Sequence, residues 1–424
     1  MIYVAITQIL TEQGNWEKVM ERLRLFQGQG AVVCASVAPG TCGKQNLVAS
    51  SIMKWWHGME RESIKMALYF NYMVETDILE CYSSMDARIV GRALDGPNVD
   101  GFGHRISELL MCSERGQPIG MPQGSALGDF LAEIVLGYID VALAREVTAE
   151  RVKGKFIVLR FRDDYRIFTK DEATARKITR CLAQVLERFG MKLNPQKTKM
   201  HDDIISMARK QDKRYWEFWR NKLELGESGW KEPSLQKRLL VIYDMAREFP
   251  NSGAVRRALV ELYKDRIVKL EHRPRDVYQM LSIVANLMAF NPRSYVVCVA
   301  IMTKLISFNP GMSRNELADA VLEKAKVMPN VEYLEVWLQR LTMRTKPGKK
   351  YGCKLCKLMY DQTVKLWNSQ WLDREMRKMI VDPDVVNHKI AKKMPFAASV
   401  EEVSVFAEYD DWGMGEFGEF GGGW

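Results

Sequence analysis

The chain predicts an α+β protein: a split βαβ sheet with helices on one face, followed by an all-α half. Three observations carry this. Short β-rich runs alternate with helical stretches over residues 70–200, and two of those runs end in aspartates. After about residue 205 the strand signals vanish, and helical periodicity continues to about residue 395. Within that half, Phe290–Asn291–Pro292 and Phe308–Asn309–Pro310 each close an apolar helical stretch. Proline cannot continue a helix, and it pushes the residue before it out of the α region.

Taken in order, Asn15–Phe26 has the spacing of an amphipathic helix, and a Gly/Pro-punctuated stretch, GQGAVVCASVAPGTCGK, follows it. VETDI at 74–78 reads as a short strand ending in a carboxylate, Met85–Leu94 as a helix and DGPNVDGFGH as a loop. GMPQGS at 120–125 is a tight turn, and Ala126–Arg145 a long buried helix. KFIVLRFRDDYRIF at 155–168 reads as two β-rich runs meeting at Asp163–Asp164, a hairpin with acids at its tip. Ala173–Phe189 is an amphipathic helix closed by Gly190, and MKLNPQKTKM a further strand or turn. The helical half is expected as a stack of antiparallel helices. The expected division is an N-terminal region 1–70, a sheet domain 71–204, a helical domain 205–398 and an acidic Gly/aromatic tail 399–424.

Composition narrows the class. A 424-residue chain with 47% hydrophobic and 27% charged residues fits a soluble globular protein of more than one domain. No apolar run reaches the ~18 residues of a membrane span. The longest candidates are interrupted by Asp129, Glu133 and Asp140, and by Asn291–Pro292–Arg293. The opening MIYVAITQIL has no basic n-region, so no signal peptide is expected. A net charge of +9 favours a polyanionic partner. Eight irregularly spaced cysteines suggest free thiols in a reducing, cytoplasmic setting. Cys353 and Cys356 have zinc-knuckle spacing but no second pair, so two thiols on a helix face is the preferred reading.

The carboxylates carry the chemistry. Phosphoryl transfer to a 3′-hydroxyl uses two divalent ions ~3.5–4 Å apart, and Mg²⁺ needs only a few carboxylates because it keeps several waters. Asp77 ends one predicted strand, and Asp163–Asp164 sit at a hairpin tip. Adjacent aspartates are common in solvated turns. Here VLRF and YRIF flank the pair, putting the acids on a buried strand pair where they call for a cation.

In this the chain resembles the reverse transcriptases. That family carries an Asp-containing strand, a PQG turn, an x-x-D-D hairpin and a G-x-x-x-N-x-x-K stretch. Here these are TDILECY at 76–82, GMPQGSALGDFLAEIVLGYID at 120–140, FRDD at 161–164 and GMKLNPQKTKM at 190–200. The resemblance covers roughly residues 70–200 and implies a palm-and-fingers fold that copies RNA into DNA. By matching position, Asp77 and Asp163 would be the main ligands of two Mg²⁺ ions, with Asp164 in support. Tyr82 would be the gate whose ring excludes a ribose 2′-hydroxyl, predicting dNTP use. Gln123 and Gly124 would line the nucleotide pocket, and Phe161 would pack near the primer end. Lys197 or Lys199 could neutralise or protonate the pyrophosphate, a choice left open between them. Arg162 departs from the family pattern; on a strand it would point away from Asp163, toward an acid or a template phosphate. No Arg-containing triphosphate clamp stands out before Asp77, where Lys44, Arg61 and Lys65 are the candidates.

LAEIVLGYID, RFRDDYRIF and the helical C-terminal half resemble bacterial defence-associated, abortive-infection-like reverse transcriptases. That branch implies anti-phage defence, a structured non-coding RNA as template and partner, a DNA product, and a homo-oligomer or companion defence protein. The helical domain would then serve as thumb and RNA platform. Arg209, Lys210, Lys213, Arg214, Tyr215, Trp216 and Trp219 interleave bases with rings that can track phosphates and stack on unpaired bases, or else dock a helix on the palm. Arg344–Lys357 reads as a second basic, exposed loop. The alternatives are a retron- or group II intron-like enzyme, an RNA-templated RNA polymerase, and a non-catalytic RNA scaffold.

Overall fold

The two β-rich runs of residues 156–169 fold as a tight hairpin at the centre of a five-stranded sheet. The computed structural model describes residues 2–27, 32–34, 59–96, 101–113, 116–225, 234–329, 331–346, 348–361, 363–366, 368, 370–381 and 386–404. Lys44, most of the Gly/Pro-punctuated stretch and the tail beyond Ser404 lie outside the described residues.

Strands β1 (Val32–Cys34), β2 (Tyr72–Asp77), β3 (Phe156–Phe161), β4 (Asp164–Thr169) and β5 (Lys199–His201) stand in the order β1-β3-β4-β2-β5. β1 runs parallel to β3, and the other pairings are antiparallel. Around the sheet lie α1 (Ile2–Thr11), α2 (Asn15–Gln27), α3 over 59–66, α4 (Cys81–Ser84), α5 (Arg88–Asp95), α6 (Phe102–Ser113), α7 (Ala126–Ala149), α8 (Glu172–Arg188) and α9 (Ile204–Ala208). The helix expected from Met85 begins at Arg88, since Asp86 forms a β-bridge with Ile119. The expected α+β class holds.

Local chemistry sets the two long helices. Ser125 caps α7 by accepting from the Gly128 amide at 3.0 Å, and Asp171 caps α8 by accepting from the Thr174 amide at 2.8 Å. α8 buries one face, through Ala175, Ile178, Leu182 and Val185. α7 is apolar nearly all round and is buried accordingly.

Residues opposed across an antiparallel ladder share a face. Val74, Val158, Tyr165 and Ile167 join the main core with the buried faces of α7 and α8. Met73, Leu159 and Phe168 point the other way, into a smaller cluster with Met66, Phe70 and Ile204. Asp77, Asp164 and Phe161 follow this second alternation, so the acids lie on the sheet face away from the main core.

The chain divides into two units, Met1–Arg209 and Lys210–Trp424. The second contains α10 (Gln211–Leu225), α11 (Leu235–Glu248), α12 (Gly253–Leu262), α13 (Val277–Phe290), α14 (Tyr295–Ser307), α15 (Gly311–Ala325), α16 (Val331–Thr342), α17 (Lys354–Lys357), α18 (Arg374–Val381), α19 (His388–Lys393) and α20 (Val400–Ser404). α14 is its hub, buried on nearly every side and packed on α12, α13, α15 and α16. Both Asn–Pro breaks are internal corners: Asn291 and Asn309 are buried, and Asn291 Nδ2 donates to the Ser252 carbonyl at 2.8 Å.

One expectation needs correcting here. Arg344–Lys357 is not a plain exposed loop. Tyr351 is buried and bonds Thr342 Oγ1 at 2.6 Å, Lys346 pairs with Asp319, and Cys353 leads into α17 with Cys356 buried. Among the described residues, no helix is long and apolar enough to cross a membrane.

Candidate active site

β2 and the β3–β4 hairpin bring the sequence-predicted acids together. Asp77, the last residue of β2, stands in register with Asp164, the first of β4. The hairpin loop has two residues, Arg162 and Asp163, and such loops require a left-handed conformation at a central position. Arg162 takes it, with φ 53°. It therefore lies in the turn rather than on a strand, which corrects the sequence expectation. A left-handed non-glycine needs support from its surroundings. Arg160 Nη1 donates to the Arg162 carbonyl at 3.0 Å, and the Arg162 guanidinium pairs with Asp129 at 3.0 Å. The Ile78 amide donates to the Asp163 carbonyl at 3.3 Å, tying the tip to the end of β2.

Lys197 reaches these acids through the LNPQK turn. The Asn194 amide donates to the Asp77 carbonyl at 2.9 Å, and Leu193 bridges to Ile78. Thr198 Oγ1 lies 2.7 Å from Thr76 Oγ1. This seating puts Lys197 Nζ 2.5 Å from Asp77 Oδ2. The bond to Asp77 raises the ammonium pKa, and the charges of Asp164 and Asp163 add to it. Burial raises the Asp163 carboxyl, and Asp77 pushes it further, against Lys197 and Arg162. Asp77 Oδ1 is buried with no hydrogen-bond partner among the described residues. The other lysine candidate, Lys199, is exposed on β5 opposite Glu75.

These groups suit a hydrated divalent cation. They present an orphaned carboxylate oxygen, and the Lys197 ammonium already sits where three acids act together. Among the described residues, no three acidic, thiol or imidazole groups form a ready-made metal cage. Mg²⁺ does not require one, because it keeps much of its water.

The PQG segment lies alongside. The Met121 amide donates to the Tyr82 carbonyl at 2.8 Å, and the Gly120 amide to that of Met85 at 2.9 Å. Gly124 takes φ 88°, a conformation that selects glycine, and Gln123 beside it is exposed. A Cβ on Gly128 would stand 2.0 Å from the Pro122 carbonyl, so α7 can start this close to the turn only with glycine there. The Tyr82 hydroxyl donates to Asp129 Oδ1 at 2.7 Å. Burial and this carboxylate push the phenol pKa up, so it stays a protonated donor. Phe161 is buried. Arg61 and Lys65 are exposed on α3, where Lys65 pairs with Glu62 at 3.1 Å.

Sequence reasoning passed over the supports of this site. Arg160 is wholly buried, with Nε 2.7 Å from Asp140 Oδ2 and Nη2 2.6 Å from Glu133 Oε1. Tyr165 Oη donates to Asp140 at 3.3 Å. Asp129, Glu133 and Asp140, which interrupt the apolar run of α7, thus all answer arginines of the hairpin. The available signal was the three acids that interrupt the apolar run of this helix, beside an Arg–Phe–Arg strand end.

The sequence-predicted RNA-binding residues fall at the division of the chain into two units. Arg209 ends the first unit, and the rest begin the second. On α10, Tyr215 and Trp216 are partly buried against the helical core, Tyr215 meeting Phe249 edge-on at 5.6 Å. Their docking partner is thus that core, where the sequence reading offered the palm. Trp219 lies beside Tyr215, its ring tilted at a centroid distance of 6.3 Å; Lys213 is partly buried and Arg214 is exposed.

Comparison with known proteins bears on residues 58–218, which match the family model "Reverse transcriptase (RNA-dependent DNA polymerase)". No curated protein matches the chain. Similar solved structures include apo telomerase from Candida tropicalis truncated from the C-terminal domain, at 16% identity and TM-score 0.28, covering 45% of this chain and 43% of that one. Telomerase from Candida albicans with a TWJ fragment of telomeric RNA matches at 12% identity and TM-score 0.28, covering 76% and 57%. The corresponding Candida tropicalis complex matches at 11% identity and TM-score 0.31, covering 76% and 56%. The chain thus spans about half the length of these telomerase chains. The family match runs over the segment that holds Asp77, Asp163 and Asp164, so residues 58–218 form a reverse transcriptase-like domain.

Proposed function

We propose that the protein copies an associated structured non-coding RNA into DNA, as part of bacterial anti-phage defence, with two Mg²⁺ ions held by Asp77, Asp163 and Asp164. The observation that carries the catalytic part is the seating of Lys197 on Asp77, with Asp163 and Asp164 acting on the same ammonium. Such a convergence of acids attracts cations, and a match to the reverse transcriptase model runs through it. The defence role rests on the spelling of LAEIVLGYID and RFRDDYRIF and on the helical second unit.

When bound, a pair of divalent ions supplies activation of a primer 3′-hydroxyl and charge relief for departing pyrophosphate. The chain's own residues do the rest. The β2 end and the hairpin hold the three carboxylates at one end of the sheet. The ring of Tyr82 limits the space at the sugar, favouring dNTPs, and Gln123 and Gly124 flank the incoming nucleotide. Lys197 is poised to neutralise charge or give a proton to the pyrophosphate. Lys213, Arg214 and their neighbours offer charge for an RNA backbone.

The test is primer extension on an RNA template with Mg²⁺ and dNTPs, together with sequencing of nucleic acid recovered with the protein from cells. Asp163→Asn should lower extension by at least ~10²-fold while leaving the thermal unfolding midpoint close to wild type. Phage protection that survives Asp163→Ala with Asp164→Ala would instead make the protein a binding scaffold.

A further inference from the structure

Resting on that polymerase reading, we infer that Asp129 and Arg162 set the protein's discrimination between deoxyribonucleotides and ribonucleotides by fixing the ring of Tyr82. A gate excludes a 2′-hydroxyl only if its ring cannot swing aside. Three features hold this one. The Tyr82 carbonyl is fixed by the Met121 amide at 2.8 Å, so the backbone below the ring is anchored to the PQG segment. The phenol oxygen, at the far end, donates to Asp129 Oδ1 at 2.7 Å. The other oxygen of that carboxylate takes Arg162 at 3.0 Å. One carboxylate therefore joins the gate to the hairpin turn.

Both ends of the bridge are anchored. Asp129 lies in the first turn of α7, whose start is seated against the Pro122 carbonyl through Gly128 and capped by Ser125. Arg162 sits in the left-handed position of the hairpin, and its carbonyl is held from below by buried Arg160. The Asp129–Arg162 pair is itself more than a third exposed on both sides, so as an isolated ion pair it would contribute little. Its effect comes from orientation: it leaves Oδ1 of Asp129 facing the phenol. Asp129 and Arg162 are thus positioning residues for a specificity element.

The experiment compares kcat/KM for matched dNTP and rNTP incorporation in the full-length protein. Asp129→Asn keeps size but weakens both bonds, and Tyr82→Phe removes only the phenol oxygen. Each should lower dNTP preference roughly tenfold, the effect of one charge-assisted hydrogen bond. Tyr82→Ala, which removes the ring, should lower it further. Arg162→Gln should lower it less than Asp129→Asn does. The decisive arm is the double variant: Asp129→Asn added to Tyr82→Phe should bring no further loss, since the bond is already gone. Independent, multiplying losses, or an unchanged preference in an active Asp129→Asn protein, would overturn the inference. A wild-type protein that incorporates neither nucleotide would overturn the polymerase reading with it. If Asp129→Asn does not fold, an unchanged preference in Tyr82→Phe alone overturns the bridge.

Discussion

At residue scale, the arrangement around Asp77 separates two lysines that lie only two positions apart. Lys197 is turned onto the acids by the Asn194 turn, whereas Lys199 continues an edge strand and stands opposite Glu75. Lys197→Ala is expected to slow single-turnover dNTP incorporation by about 10²-fold, the scale of a general acid, and Lys199→Ala to leave it within about twofold. A second readout needs no catalysis. Removing Lys197 leaves Asp77, Asp163 and Asp164 without their resident cation. In EDTA the variant's unfolding midpoint should fall, corresponding to a stability loss of no more than about 1 kcal/mol given how exposed the lysine is. Added Mg²⁺ should then raise that midpoint more than it does in wild type. Equal Mg²⁺ responses would mean that Lys197 and the metal do not share the site.

At the scale of elements, α7 acts as a brace under the hairpin. Asp129, Glu133 and Asp140 lie on it, and between them they engage Arg162 and Arg160. Breaking a buried ion pair strands its partners without compensation. Arg160→Met is therefore expected to cost about 3–5 kcal/mol in urea unfolding. The same cluster has a pH signature. Burial pushes Asp140 up to about 6 despite Arg160, above the ordinary range of an aspartate. Between about pH 4 and 6 the folded chain keeps this proton while the unfolded chain releases it, so stability from this group falls as pH rises through that window. In Asp140→Asn that component of the slope should be absent when unfolding is followed across the window. The hairpin was legible in the sequence because two β-rich apolar runs meet at a polar turn, and the long helix because its apolar residues, though interrupted by three acids, recur over more than five turns. The brace was not. Acids on a helix give no sign of which strand they will meet, so Asp129, Glu133 and Asp140 registered only as breaks in an apolar run. Arg162 was misplaced because apolar flanks fix where a hairpin lies but not which two residues make its turn.

At the scale of the whole molecule, the chain joins a sheet unit that holds the acids to a helical unit built round α14. The change in architecture was readable from periodicity, and both Asn–Pro corners from proline chemistry. The use of α10 was not, because a ring that stacks on a base and a ring that closes a core have the same spacing. The structure divides the segment by depth: Tyr215 and Trp216 pack on the helical core, while Arg214 faces solvent. Under the RNA-binding proposal, these residues should fail differently. Tyr215→Ala removes a partly buried aromatic contact with Phe249 and should lower the unfolding free energy by about 2–4 kcal/mol, with little change in the salt dependence of RNA binding. Lys213→Gln with Arg214→Gln should leave the midpoint nearly unchanged. It should reduce the slope of log affinity against log salt for a single-stranded RNA by about 1.4, the value for two phosphate contacts. Filter binding across a salt series measures the slope. If the double charge variant keeps the full slope, α10 is a structural helix of the second unit and the RNA path runs over another face.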